Sequence, residues 1–137
     1  MAKAVLVPLG EMPRIVEANS LKDLQHFVGG YIDAAGWIFN DEPTVYVNDD
    51  GKYTCMPNRA VYATADDAGK IGWDGKPFKE GDVLDIIFGD FICIGFDAET
   101  GEDRDITDEE IARVMARFGT SYFTGGKING KRKIRKN

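Results

Sequence analysis

Apolar and polar positions alternate along the chain with two different periods. Residues 2–9 form a β-prone run centred on Val5, Leu6 and Val7 and closed by Pro8 and Gly10. Residues 14–17 alternate polar and apolar, so the first two strands are expected to pair as a hairpin. Ser20 opens a helix: its hydroxyl can accept from a first-turn amide, and Asp23 suits the positive helix end. Leu21, Leu24, Phe27 and Val28 recur at spacings of three and four, which puts them on one face. Gly29-Gly30 ends the helix, since glycine tolerates positive φ at a C-terminal cap.

Residues 31–39 return to strand character, with Gly36 expected as a bulge. Residues 44–47 read as a strand, Asn48-Asp49-Asp50-Gly51 as a tight turn, and residues 52–56 as the returning strand. This is the clearest hairpin signal in the pattern. Pro57-Asn58-Arg59-Ala60 then reads as a break before a short extended piece at 61–63. Residues 64–82 are loop-like, rich in Gly and Asp, with Trp73 and Phe78 as apolar anchors. Residues 83–87 and 91–96 are β-rich and joined near Gly89-Asp90. The second is a near-continuous apolar run and predicts the central buried strand. Thr107 and Glu110 have the spacing of a capping box. Ile111, Val114, Met115 and Phe118 continue as an apolar stripe, stopped by Gly119. The order lacks the strand–helix alternation of a doubly wound fold. It predicts an α+β domain, a mostly antiparallel sheet with two helices packed on it. The domain is expected over residues 1–120, followed by a Gly/basic tail at 121–137.

Composition narrows the class. The chain has 137 residues, 43% hydrophobic and 29% charged, which suits one ordinary globular domain and excludes collagen, coiled coil and wholesale disorder. The net charge is −6, which disfavours a protein built to coat nucleic acid. That figure joins unlike parts. Lys127, Lys131, Arg132, Lys133, Arg135 and Lys136 bring six positive charges and no acid follows Lys127, so residues 1–126 carry −12. Such a tail can bind an acidic partner, nucleic acid or a membrane surface, or fold back on an acidic body. No apolar run reaches the ~20 residues that span a bilayer. The start is too short and too weakly basic for a signal peptide. Cys55 and Cys93 are too few for a disulfide framework or a zinc site. They read as reduced, buried thiols in a reducing cytoplasm.

Candidate chemistry is sparse. Residues 97–110 hold eight acids, among them Asp103 and Asp105, but no register fits the EF-hand template. A solvated acidic loop before a helix is the plainer reading. His26 is the only histidine, which excludes histidine-pair zinc sites and leaves a nucleophilic triad without identified partners. It reads as a residue at the border of an amphipathic helix. Gly125-Gly126-Lys127 lacks phosphate-loop spacing. Asn58 and Arg59 combine an amide with a planar guanidinium fork that suits phosphate or carboxylate. The plainer alternative is a turn in which the pair satisfies backbone carbonyls. Trp73 is expected to pin its loop, with a contact role as the alternative.

Several of these segments in this order resemble a known family. They are the helix end Leu24-Gln25-His26-Phe27-Val28-Gly29-Gly30-Tyr31-Ile32, then Val47-Asn48-Asp49-Asp50-Gly51-Lys52, Pro57-Asn58-Arg59-Ala60 and Asp85-Ile86-Ile87-Phe88-Gly89-Asp90-Phe91. Together with the first strand and the acidic loop and helix, they look like domain of unknown function 3846, over about residues 3–118. The basic tail lies outside that pattern, and residues 69–78 read as an insertion. The resemblance implies a small accessory protein of bacteriophage or mobile-element type in the bacterial cytoplasm. It implies no catalytic residues and no cofactor. The first expectation is therefore a non-enzymatic binder of a host protein, with a counter-defence role. The second is a nucleotide or small-molecule binder using Asn58, Arg59, Tyr31 and Trp73. The third is a carboxylate- or metal-dependent enzyme built on the acidic loop. The tail residues Lys131, Arg132, Lys133, Arg135 and Lys136 are a further contact candidate. A membrane partner is not expected, nucleic acid is disfavoured, and a homo-oligomer is compatible with the pattern.

Overall fold

Strict alternation in two strands sets the architecture. In strand β1 (Ala2–Val7), Val5 and Val7 face one way and Ala4 the other. In β7 (Phe91–Asp97), Phe91 and Cys93 join the first face, while Ile92 and Ile94 join the second. A strand apolar on both faces has to be covered on both, and this one is. The computed structural model describes residues 2–119, 121–124 and 127–130.

The main sheet has the order β2-β1-β7-β4-β3, with β8 (Glu102–Arg104) also paired to β7. Here β2 is Arg14–Ala18, β3 Ile32–Ala34 and β4 Thr44–Asn48, and every pairing is antiparallel. The predicted central strand is thus central. The predicted β1–β2 hairpin forms as well, with Val5 opposite Ile15. Gly95 in β7 is needed because a Cβ there would collide with the Arg104 guanidinium and the Asp105 carbonyl.

Helix α1 (Leu21–Val28) covers one face, through Leu24 and Val28 against Ala4, Ile92 and Ile94. Its ends follow the sequence signals. The Ser20 hydroxyl accepts from the Asp23 amide at 3.2 Å, and Gly29 takes a left-handed φ of 79°. The other face is covered by helix α3 (Asp108–Phe118) and by a small sheet of β5 (Pro57–Tyr62) and β6 (Val83–Phe88). There Val61, Ile87, Ile106, Val114 and Phe118 pack on Val5, Val45 and Cys93. The α+β expectation, with two helices on a mostly antiparallel sheet, is what the structure shows. Strands β9 (Ser121–Thr124) and β10 (Lys127–Gly130) pair with each other, with β9 beside β5. Two strands therefore occupy the start of the segment expected to be tail.

Three local expectations are corrected. The hairpin across residues 44–56 does not form. Both edges of β4 are already taken, by β3 and β7, so residues 52–56 have no edge to join. Residues 52–54 instead belong to a short helix α2 (Gly51–Thr54), and Cys55 caps it in extended conformation. The turn chemistry is real, with the Asp50 amide donating to Asn48 Oδ1 at 2.8 Å, but it turns the chain towards β5. Second, the strand expected over 31–39 stops at Ala34. Gly36 opens a 3₁₀ turn at Gly36–Ile38, where a Cβ would collide with the Asp41 carboxylate. Third, the residues 57–60 expected to break the chain are strand β5. The two β-rich runs flanking Gly89 form strands as expected, and they lie in different sheets, with Gly89 turning between them at φ 82°.

Candidate functional site

The Asn58–Arg59 pair is interior. Burial and hydrogen bonding explain why two polar residues sit at the start of β5 with 0% and 1% exposure. Arg59 Nε donates to the Phe118 carbonyl at 3.0 Å, and Nη2 to the Glu11 carbonyl at 2.6 Å. Its Nη1 donates to the Pro8 carbonyl at 3.3 Å and to Asn58 Oδ1 at 2.6 Å. The Asn58 amide then donates to the Val7 and Gly89 carbonyls, both at 2.9 Å. Carbonyls at the ends of β1, β6 and α3 all converge here, and each needs a donor once removed from water. The expectation that this pair satisfies carbonyls is met, in a strand where a turn was expected. The fold does not bring the pair together with the other two candidates. Tyr31 and Trp73 are both exposed, at 72% and fully so.

Trp73 stands at the tip of an arm, residues 68–79. Gly69 donates to the Phe78 carbonyl, Phe78 to the Lys70 carbonyl, and Gly72 to the Lys76 carbonyl, all at 2.8–2.9 Å. Ile71 and Pro77 form a bridge between the two sides, and Asp74 Oδ1 accepts from the Lys76 amide. The pinning residue is Phe78, whose ring leaves no space for a Cβ at Gly72. The expectation that Trp73 pins this loop is therefore corrected: the loop is held by its own ladder, and the indole is left in solvent.

The base of the arm borders a cleft of about 780 Å³. Its walls are the arm base, the turn at 36–42 and one side of α3. The base is fixed by Thr64, whose amide and hydroxyl donate to Asp67 Oδ2 at 2.8 and 3.0 Å. Burial alone would raise the Asp67 pKa, but these bonds and Lys70 outweigh it and hold the carboxyl below its ordinary range. From α3, Arg117 reaches across to donate to the Ile38 carbonyl and, at 2.8 Å, to the Tyr62 carbonyl. Its guanidinium lies 5.6 Å from the Phe39 ring centroid. Burial pushes the Arg117 pKa down against the pull of Asp67, which is 3.9 Å away. Its buried Nε has no hydrogen-bond partner among the described residues. One turn earlier, Arg113 donates to the Glu42 carbonyl at 2.6 Å. Half-exposed Trp37 completes the wall. Sequence reasoning missed this cleft. The available signal was Arg113 and Arg117 four residues apart on the polar side of α3.

The acidic stretch at 97–110 is largely solvated, as expected, with six of its eight acids exposed, and several of them also hold local structure. Asp97 Oδ1 accepts from the Glu99 amide, Asp103 from the Tyr46 hydroxyl at 2.8 Å, and Asp105 from the Lys3 amide at 2.7 Å. Burial and the Asp103 bond together raise the Tyr46 pKa. Glu110 is buried and grips Arg104 at 2.9 and 3.0 Å. Half of the eight acids thus hold backbone or side chains in place. Among the described residues no three His, Cys, Asp or Glu side chains are grouped to hold a metal. His26 is exposed in the last turn of α1, edge-on to Phe27. Cys93 is buried and Cys55 half-buried, and both are free thiols. Burial raises the Cys93 pKa. Among the described residues no helix is long and apolar enough to cross a membrane. Lys131, Arg132, Lys133, Arg135 and Lys136 lie outside the described residues.

A comparison with family models matches residues 2–119 to the family described as Domain of unknown function (DUF3846). No curated protein and no solved structure matches the chain.

Proposed function

The chain belongs to the DUF3846 family, and from that premise we propose that it is a non-enzymatic binder of a host protein, with the Trp73 arm as its principal contact. The observation that carries this reading is the fully exposed indole on a hydrogen-bonded arm. Leaving a tryptophan in water forgoes roughly 4–6 kcal/mol of burial, taking about 150–250 Å² at 25 cal/mol per Å². Binding a partner recovers much of that. An arm ordered beforehand also avoids the entropy cost of ordering it on contact. Tryptophan is the residue most enriched at binding hot spots. The setting in this proposal, a phage or mobile-element accessory protein in the bacterial cytoplasm with a counter-defence role, rests on the family resemblance alone.

The test is capture from bacterial lysate by the full chain and by Trp73→Ala. We expect a partner protein enriched by the native chain and reduced about thirtyfold by the variant, as for a 2 kcal/mol hot spot. Equal capture by both, or no enriched protein at low or high salt, would overturn the reading.

A second reading is a small-molecule or nucleotide binder. Its support is the cleft, whose volume of about 780 Å³ falls in the range of ligand pockets. The peptide titration described next decides it, because a nucleotide is one of its arms.

A further inference from the structure

We propose that the cleft at the base of the arm takes a cationic segment, a Lys- or Arg-bearing stretch of the protein partner. This rests on the protein-binding reading and assigns a chemistry to the surface beside Trp73.

The argument is which charges of the cleft are already used. Lys70 lies 3.3 Å from Asp67, and Arg117 lies 3.9 Å from the same carboxylate while donating to two backbone carbonyls. Both cations face Asp67, and Arg117 also ties the arm base to α3. By contrast Glu42, Asp66 and Glu80 line the cleft, are exposed, and have no side-chain hydrogen bond or ion pair among the described residues. Of the three cations among the described lining residues, Lys70 and Arg117 face Asp67, and Arg113 turns its Nη1 to the Glu42 carbonyl. An anionic ligand would meet Glu42, Asp66 and Glu80, with Arg113 the one cation among the described lining residues that does not already face Asp67. A cationic one meets three carboxylates and the half-exposed face of Trp37, where a cation gains further from the indole ring. The fold already places one guanidinium over an aromatic ring in this wall, Arg117 over Phe39. The charge of −12 on residues 1–126 draws a basic segment to the molecule from a distance, and the cleft carboxylates give it a place to settle.

The chain has two tryptophans, so Trp73→Phe leaves Trp37 as the sole indole reporter. That full-length variant is titrated with hexalysine, hexaglutamate and ATP while Trp37 emission is followed. We expect a saturable change with hexalysine alone, weakening as salt rises. Adding Asp66→Lys and Glu80→Lys should weaken it about tenfold, as for two reversed ion pairs. Both positions are exposed, so neither change disturbs the core. No saturable response to hexalysine, an equal response in the charge-reversed variant, or a response to hexaglutamate or ATP instead would overturn the proposal. So would a full-length variant with Lys131, Arg132, Lys133, Arg135 and Lys136 all changed to Gln that binds hexalysine about tenfold tighter. In that case the chain's own tail is the occupant. The titration reads the cleft alone, while Trp73→Ala capture reads the arm, so either can fail without the other.

Discussion

Arg59 shows how one residue can be misjudged from its neighbours. Pro, Asn and Arg in a row have the composition of a turn, because a sequence displays side-chain polarity and hides what that polarity satisfies. Here the guanidinium serves the Phe118, Pro8 and Glu11 carbonyls and the Asn58 side chain from a site with 1% exposure. Arginine suits this role because its fixed planar fork can serve several acceptors at once, whereas an ammonium is a compact point charge. Arg59→Met should therefore lower the unfolding free energy by about 3–5 kcal/mol, since buried carbonyls lose their donors. Arg59→Lys should recover only a minor part. Urea unfolding at constant slope measures both, and a loss below about 1 kcal/mol for the methionine variant would contradict the bracing role. Trp73 is the converse case. Gly and Asp around it correctly announced a loop, but that composition does not say which aromatic ring packs: Phe78 lies over Gly72, and Trp73 stays in solvent.

At the scale of elements, signals confined to a few residues survived and pairing between distant strands did not. Both main helices begin and end where their caps placed them, because a cap is a contact across three or four positions. The false hairpin at 44–56 had a proper turn, yet β4 was already flanked on both sides by strands from elsewhere in the chain. No local pattern carries that information. The start of α3 offers a test of its own. Thr107 Oγ1 accepts from the Glu110 amide at 3.1 Å, and Glu110 Oε1 accepts from the Thr107 amide at 3.0 Å while both its oxygens hold Arg104. Burial would raise the Glu110 pKa, but Arg104 and Thr107 outweigh it and lower it. A lowered carboxyl pKa stabilises the fold fully above its unfolded value, near 4.3, and the effect is lost as pH falls through the folded value. Glu110→Gln should thus cost about 1–3 kcal/mol at neutral pH. The gap from the native chain should close as melting is followed from pH 5 down towards 2. A gap that stays constant over that range would remove Glu110 from the acid response.

Over the whole molecule, layers of unequal exposure predict unequal stability. Strand β7 has residues 91–95 buried and is paired on both sides. The arm at 68–79 is nearly all exposed, and its hydrogen bonds face water. Amide exchange should be slowest in β7, near the limit set by global unfolding, and fastest in the arm. Equal protection in the two would show that the arm is part of the cooperative core. The fold class and the central strand were legible because burial on both faces leaves an unbroken apolar run. The cleft was not, because its walls come from three separated stretches and its lining is ordinary surface chemistry until they meet.

The place of β7 also bears on how the chain is made. Val5 of β1 must wait for Cys93, its cross-strand partner, and β4 waits for the same strand. At about 5–20 residues per second of synthesis, one edge of β1 stays open for roughly 4–18 seconds after it leaves the ribosome. During that interval the N-terminal hairpin presents an apolar strand with unpaired amides. A nascent chain stopped short of residue 91 lacks the middle of its sheet, so the emergence of β7 is the event that commits the protein to its fold.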